Sequence, residues 1–330
     1  MSFSTKIRIG VLRGGPSPEY NVSLNTGKTI LANLPEEFEP IDIFISKNGE
    51  WHVRGLQKSP YQILQSIDAA VNALHGAYGE DGTIQNLLDS FDIPYTGSKS
   101  LSSAFGMNKV IAKNVFIKAD IKTPTHLIVE KDYEDDDFVG ENKIIKTINE
   151  NILLPVILKP ISSGSSLGIS LVKDARQLRE SLKKSFAVSP KLLVEEFIAG
   201  KEATCGVIEG FRGEKIYKMM PVEVLREQGH FHDYDAKYVG LEPKYNVPGN
   251  FSSEEKEQIK NAAALVHEVL GLRHYSRSDF IVHPKRGLFC LEVNTLPELT
   301  HRSAFVKSLE AAGGNIKEFL AHLLKKVLKK

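Results

Sequence analysis

Asp279, Glu292 and Asn294 are the residues of this chain most suited to chemistry. Each offers a hard oxygen ligand. Arg277 stands two residues before Asp279, and Glu292 two before Asn294. Residues two apart in a strand share a face. Pro284 to Gly287 is a turn signal, so the two segments are expected to pair as a hairpin. The three oxygen-bearing side chains then converge. Oxygen ligation of this kind suits Mg²⁺, which keeps waters and binds substrate phosphates. Phe280, Val282, Phe289, Leu291 and Val293 would face the core. An exposed polar face with a salt bridge is the competing reading.

Lys159 ends an apolar strand and is followed by Ser163, Gly164, Ser165, Ser166 and Gly168. Small residues let backbone N–H groups and hydroxyls close over an anion. The Gly-Lys-Ser/Thr ending of a P-loop is absent, and a strand rather than a helix follows. A flexible hairpin loop over phosphates fits better; a plain surface hairpin is the alternative. Leu192 to Ile198 is an apolar strand turning at Gly200, with Glu202 beyond it. Such an edge can read adenine through its backbone, and a carboxylate can hold ribose hydroxyls. A purely structural strand fits the local pattern as well. Gly229 to Gly249 shows no period and carries Phe231, Tyr234, Tyr238 and Tyr245. It is long for an ordinary connection, and its aromatics argue against simple disorder. We read it as a lid.

Regular elements must position these groups. Strands at Ile7–Leu12, Ile41–Ile45 and Ala70–His75 alternate with helices at Val22–Leu34 and Thr83–Phe91. This is a small parallel α/β pattern, in which ligands sit beyond the carboxyl ends of strands. Gly14 to Glu19 and His75–Gly76 fall there, although the dinucleotide glycine spacing is missing. Ser102 to Ala119 reads as one helix carrying Lys109 and Lys113, and Glu130 to Glu150 as a solvated loop and surface helix. A second region of strands and helices follows. Ser252 and Glu255 form a capping-box pair ahead of a helix.

A chain of 330 residues has room for two or three domains. Its net charge of +1 gives no surface for nucleic acid. The basic final helix, Asn315 to Lys330, carries an apolar stripe of the core-packing kind, so no membrane role is expected. Cys205 and Cys290 lie in expected strands and give neither a disulfide framework nor zinc spacing. With no signal peptide or transmembrane run visible, the cytoplasm is the expected compartment.

Taken in order, these segments resemble D-alanine–D-alanine ligases of the ATP-grasp superfamily. The resemblance runs from about Ile7 to Gly313. It is carried by Gly14–Glu19 with Ser23, His75–Gly82, Pro94–Gly97, Met107–Lys109, Lys159–Gly168, Asp233–Tyr238, Arg277–Asp279 and Glu292–Pro297. It implies a mixed α/β and α+β ATP-grasp fold. The N-terminal parallel, Rossmann-like domain would span 1–104 and a small central domain 105–193. An antiparallel-sheet C-terminal domain would span 194–330, with the lid at 229–249.

The resemblance also implies the reaction. ATP converts one D-alanine to an acyl phosphate, and a second D-alanine amine displaces phosphate. The product, D-alanyl-D-alanine, serves peptidoglycan synthesis. Lys109, Lys159 and Ser166 would hold ATP phosphates. Glu195, Glu196 and Ile198 join the nucleotide set, Glu196 and Ile198 meeting adenine largely by backbone groups, and Glu202 would bind ribose. Asp279, Glu292 and Asn294 would bind two Mg²⁺, with Mn²⁺ as an alternative, and Arg277 would stabilise the oxyanion. Glu19, oriented by Ser23, would hold the first ammonium, and Ser165 and Tyr238 would link it to the lid. Lys237 would reach the transferring phosphate, Ser303 the second carboxylate, and His75 would lie near the first subsite or between the two. A homodimer is expected.

Two departures stand out. Glu298 replaces the usual Gly after Pro297, and Ala304 replaces a larger apolar residue after Ser303. We expect the Glu298 side chain to turn outward, with its charge solvated or paired. A ligase for D-lactate or another amino acid, and an ATP-binding non-ligase, are the competing functions.

Overall fold

The structure is a computed structural model describing residues 6–131, 137–161, 168–225 and 244–329. Three sheets organise it. The first contains β1 (Ile7–Gly14), β2 (Phe38–Ile45), β3 (Trp51–Val53), β4 (Leu56–Gln57) and β5 (Ala69–Asn72), in the order β4-β3-β2-β1-β5. β1 pairs in parallel with β2 and β5, and β3 and β4 extend the edge antiparallel. Ile9 and Val11 of β1 enter one core cluster and Leu12 another, so the strand is covered on both faces. Helices α1 (Tyr20–Asn33), α2 (Pro60–Leu64) and α3 (Thr83–Ser90) accompany this sheet.

The expected single helix from Ser102 to Ala119 is two helices, α4 (Ser100–Met107) and α5 (Lys109–Lys118). Asn108 breaks them. Its backbone is extended, and its side chain accepts the N–H groups of Val110 and Ile111 at 3.1 Å each. Lys109 thereby becomes the first residue of a new helix.

The second sheet is antiparallel and ordered β6-β9-β7-β8, from β6 (His126–Glu130), β7 (Val156–Pro160), β8 (Ser170–Val172) and β9 (Lys191–Glu196). Helices α6 (Asp137–Asn151) and α7 (Ala175–Phe186) cover one face with Ile148, Leu178 and Leu182.

The third sheet is built from β10 (Lys201–Glu209), β11 (Ile216–Lys218), β12 (Val222–Leu225), β13 (Lys244–Asn246), β14 (Tyr275–His283) and β15 (Gly287–Asn294). Its path is β13-β12-β10-β14-β15, with β11 beside β10. Helix α8 (Ser253–Val269) backs it and begins with the expected capping box of Ser252 and Glu255. Helices α9 (Ala304–Ala311) and α10 (Ile316–Leu328) close the chain. Phe319, Leu320 and Leu324 of α10 share a core with Ile9 of β1 and Ile208 of β10, so this stripe joins the first and third sheets. Both cysteines are free and buried, as expected. Among the described residues, no helix is long and apolar enough to cross a membrane.

Three expectations need adjustment. The boundary at 104/105 falls inside α4, and that at 193/194 falls inside β9. Ladder pairing with β6 and β7 carries β9 on to Glu196. The expected lid, 229–249, ends in ordered structure: Lys244–Asn246 form β13 on β12, and Glu223 accepts from Asn246 Nδ2 at 3.0 Å and Asn250 N at 3.2 Å. Residues 226–243 lie outside the described residues. Lastly, β14 and β15 pair as expected up to Asp279 opposite Glu292, where the register slips by one residue. Phe280 then faces Cys290, leaving Leu291 bulged. Phe289 and Leu291 therefore do not join Phe280, Val282 and Val293. They pack with Ile198 and Ile281 in a separate cluster.

Candidate active site

The hairpin brings its polar residues together on one face. Arg277 lies opposite Asn294, and Asp279 opposite Glu292. Arg277 donates from Nε to Asp279 Oδ1 at 3.0 Å and from Nη2 to Oδ2 at 2.9 Å. Asn294 Nδ2 donates to Asp279 Oδ2 at 3.2 Å, and the Thr204 hydroxyl to Oδ1. Burial works against the charged Arg277, but Asp279 outweighs it and raises its pKa, so this guanidinium stays charged. Ile281 continues the same face of β14. The bulge adds Phe289 and Leu291, so an apolar bed formed with Ile198 lies beside the carboxylates.

Two helical lysines approach from α5. Lys109 Nζ is 3.8 Å from Glu292 Oε2. Lys113 Nζ is 2.7 Å from Glu195 Oε1, and Lys159 Nζ is 2.7 Å from Glu195 Oε2. Lys113 also donates to Thr123 Oγ1 at 2.6 Å. Desolvation lowers the pKa of Lys109, with Glu292 opposing and Lys159 adding to the fall. Desolvation acts on Lys159 too, but Glu195 and Glu292 outweigh it and the net shift is upward. Glu195 is buried, with its carboxylate held between two buried lysines. Glu196 is also engaged internally. Its N–H donates to Thr125 O at 2.9 Å, and its carboxylate holds Arg286 at 2.8 and 3.0 Å. Glu202 occupies the same face of β10 as Thr204, opposite Ile281.

The first sheet supplies another wall. A Cβ at Gly76 would fall 2.6 Å from Glu19 Oε2 and 2.5 Å from Ser17 Oγ. Only glycine lets the loop after β5 lie against the Glu19 carboxylate, and its φ of +69° favours glycine as well. Ser23 is fully buried; its hydroxyl accepts from Gly14 N and donates to Ala73 O, both at 2.8 Å. It anchors α1 to the sheet and does not reach the Glu19 carboxylate with that hydroxyl. His75 Nε2 lies 2.9 Å from Thr26 Oγ1, and its Nδ1 3.8 Å from Glu80 Oε1. Burial opposes the charged imidazole, but Glu80, Glu19 and Glu298 together raise its pKa.

Two residues expected to matter after β15 are Glu298 and Ser303. Glu298 is half-buried, and its carboxylate is paired locally rather than left to solvent alone. It accepts from Thr300 Oγ1 at 2.7 Å, and its charge acts on buried His75 and on Tyr245. Ser303 is 4% exposed and caps α9; its hydroxyl already donates to Thr300 O at 2.8 Å. A carboxylate bonded there must take this donor from Thr300. Ser165, Ser166, Lys237 and Tyr238 lie outside the described residues.

Sequence reasoning missed Lys113 and Glu80. Lys113 has the same residue type and helix as Lys109, but its burial arises only when α5 meets β9. Glu80 sits in a loop, and its partners Thr295 and Leu296 lie 215 and 216 residues away.

Two antiparallel sheets that present lysines, carboxylates and an apolar bed to one another define an ATP-grasp carboxylate–amine ligase. The family descriptions "D-ala D-ala ligase N-terminus" and "D-ala D-ala ligase C-terminus" match residues 8–65 with 52–98, and 102–325. A D-alanine–D-alanine ligase of Syntrophotalea carbinolica is 35% identical over 318 residues, covering 96% of this chain and 95% of that one. The VanG D-Ala:D-Ser ligase of Enterococcus faecalis superposes with a TM-score of 0.84 at 27% identity, covering 98% of this chain and 100% of that one. The D-alanine–D-alanine ligase of Bacillus anthracis, solved with ATP, gives 0.77 at 30% identity, with 98% of each chain covered. The chain belongs to the D-alanine–D-alanine ligase family, whose members are ATP-dependent ligases.

Proposed function

We propose that the cleft between the second and third sheets binds ATP with Mg²⁺, and that the protein joins two D-alanines. The observation that carries this is the shared face of Arg277, Asp279, Glu292 and Asn294, with Lys109 set against Glu292. Two carboxylates and an amide oxygen form a hard donor set suited to Mg²⁺. Among the described residues, no larger cluster of His, Cys, Asp and Glu competes for a metal. Bound Mg²⁺ would neutralise charge on the transferring phosphoryl group.

The protein's own groups do the rest. Lys109 and Lys159 hold phosphates, and Glu195, itself fixed by Lys113, keeps Lys159 charged and in place. Ile198, Ile281, Phe289 and Leu291 form the adenine bed, and Glu202 receives the ribose. Glu19 holds the ammonium of the first D-alanine, near His75. Arg277 faces the oxyanion that forms when the second amine attacks the acyl phosphate. Ser165, Ser166, Lys237 and Tyr238 keep their expected roles over the phosphates and in the lid. Tyr238 resembles the dipeptide-forming members, so D-alanyl-D-alanine is the expected product. We further propose a homodimer.

The test is phosphate release from ATP and Mg²⁺ with a panel of D- and L-amino acids and D-lactate, with product masses determined. D-Alanyl-D-alanine as the main product supports the assignment. A depsipeptide or a mixed dipeptide as the main product redirects it, and release with no partner overturns it.

A further inference from the structure

Glu298 lies in the segment joining β15 to α9 and is half-buried. The start of that segment is tied to the first sheet, because Glu80 Oε2 accepts from Leu296 N at 3.3 Å and Thr295 Oγ1 at 3.4 Å. Its end is tied to α9 by Ser303, which caps the helix and donates to Thr300 O. Thr300 Oγ1 donates to Glu298 Oε1 at 2.7 Å, which steers the carboxylate. Among the described residues, no lysine, arginine or histidine forms an ion pair with it. Its charge acts on two groups of the cleft: His75, beside Glu19, and Tyr245, whose ring lies 5.2 Å from Lys307 Nζ. A carboxylate held by Thr300, with no ion-pair partner among the described residues, thus stands on the segment that runs from the Glu80 tether to Ser303.

We propose that the Glu298 carboxylate is a specificity group of the second-substrate pocket and receives the ammonium of the incoming amino acid. The inference rests on the ligase assignment above. An α-amino acid arrives as a zwitterion whose ammonium offers three donors to a carboxylate. A hydroxy acid arrives as a net anion with one hydroxyl donor. The same carboxylate therefore attracts the first and repels the second. A charge-assisted N–H···O bond also orients the nitrogen, which gives up one proton to this carboxylate and then, as the amine, attacks the acyl carbon as phosphate leaves.

The experiment compares the unaltered protein with Glu298→Gln, Glu298→Gly and Glu298→Asp. D-Alanine and D-lactate are varied as second substrates, and dipeptide is separated from depsipeptide by mass. Gln and Gly are expected to raise the KM for the second D-alanine about tenfold or more, with a much smaller change in the KM for ATP. The depsipeptide-to-dipeptide ratio should rise by about the same factor, while Asp keeps most of the selectivity. Gln and Gly remove the charge by different routes, so a folding defect in one leaves the other to decide. An unchanged second KM and product ratio in a folded Gln or Gly variant overturns the proposal. Failure of the ligase assignment shows separately, as no phosphate release by the unaltered protein with D-alanine.

Discussion

The carboxylate of Glu80 accepts the backbone N–H of Leu296 at 3.3 Å, joining the loop after β5 to the chain leaving β15. Its other oxygen accepts from Gly76 N at 3.0 Å and lies 3.8 Å from His75 Nδ1. One side chain therefore aligns the wall carrying Glu19 with the wall carrying Arg277. Glu80→Ala should lower kcat/KM for D-alanine about a hundredfold, or about 2.7 kcal/mol of barrier, because reacting groups would lose their mutual alignment. Steady-state kinetics decide; a variant within about threefold of the parent would contradict the alignment role.

Glu195 is the hub of a buried cation–anion–cation chain. Removing it leaves Lys113 and Lys159 facing each other without compensation. Glu195→Ala should cost about 3–5 kcal/mol of stability. Lys113→Met with Glu195→Gln should cost less than the sum of the two single changes, since the double change removes a whole pair. Denaturant titration of the four proteins measures the coupling, and strict additivity would show that the pair is not coupled.

Lys109 is a buried lysine with a depressed pKa, so it loses its proton at a lower pH than an ordinary lysine. ATP phosphates favour the charged form. The KM for ATP should rise as pH increases through the Lys109 pKa, beginning below the ordinary value of 10.5. Lys109→Arg should flatten this limb because guanidinium does not titrate there. A parent profile of KM for ATP that stays level through pH 10 would refute the assignment.

Glu292 lies opposite Asp279 and beside Lys109. Glu292→Gln keeps the shape and removes the charge a bridging metal needs. Turnover should fall about a hundredfold or more at saturating Mg²⁺, with the melting temperature nearly unchanged. Phosphate release close to the parent rate would remove Glu292 from the metal set.

The hairpin face was legible because strand period and turn chemistry are local properties. The capping box of Ser252 and Glu255 was legible for the same reason. The break at Asn108 had a local signal too, since Asn is a strong N-cap, but the apolar positions on either side run on as one helix. Lys113, Glu195 and Glu80 were not legible in their structural roles. Their partners come from other elements, and neither residue type nor spacing states which lysine will be buried. Glu298 was visible as an anomaly, but its direction depends on Thr300 and on the tether at Leu296.

The bulge at Leu291 gives β15 two phases. On one side of it, even-numbered residues face the cleft; on the other, odd-numbered ones do. The length of this strand is therefore as much a part of the proposed nucleotide pocket as any side chain in it. Loss of that one residue would leave the composition almost untouched, yet would exchange the half of the hairpin that faces the cleft for the half that belongs to the interior.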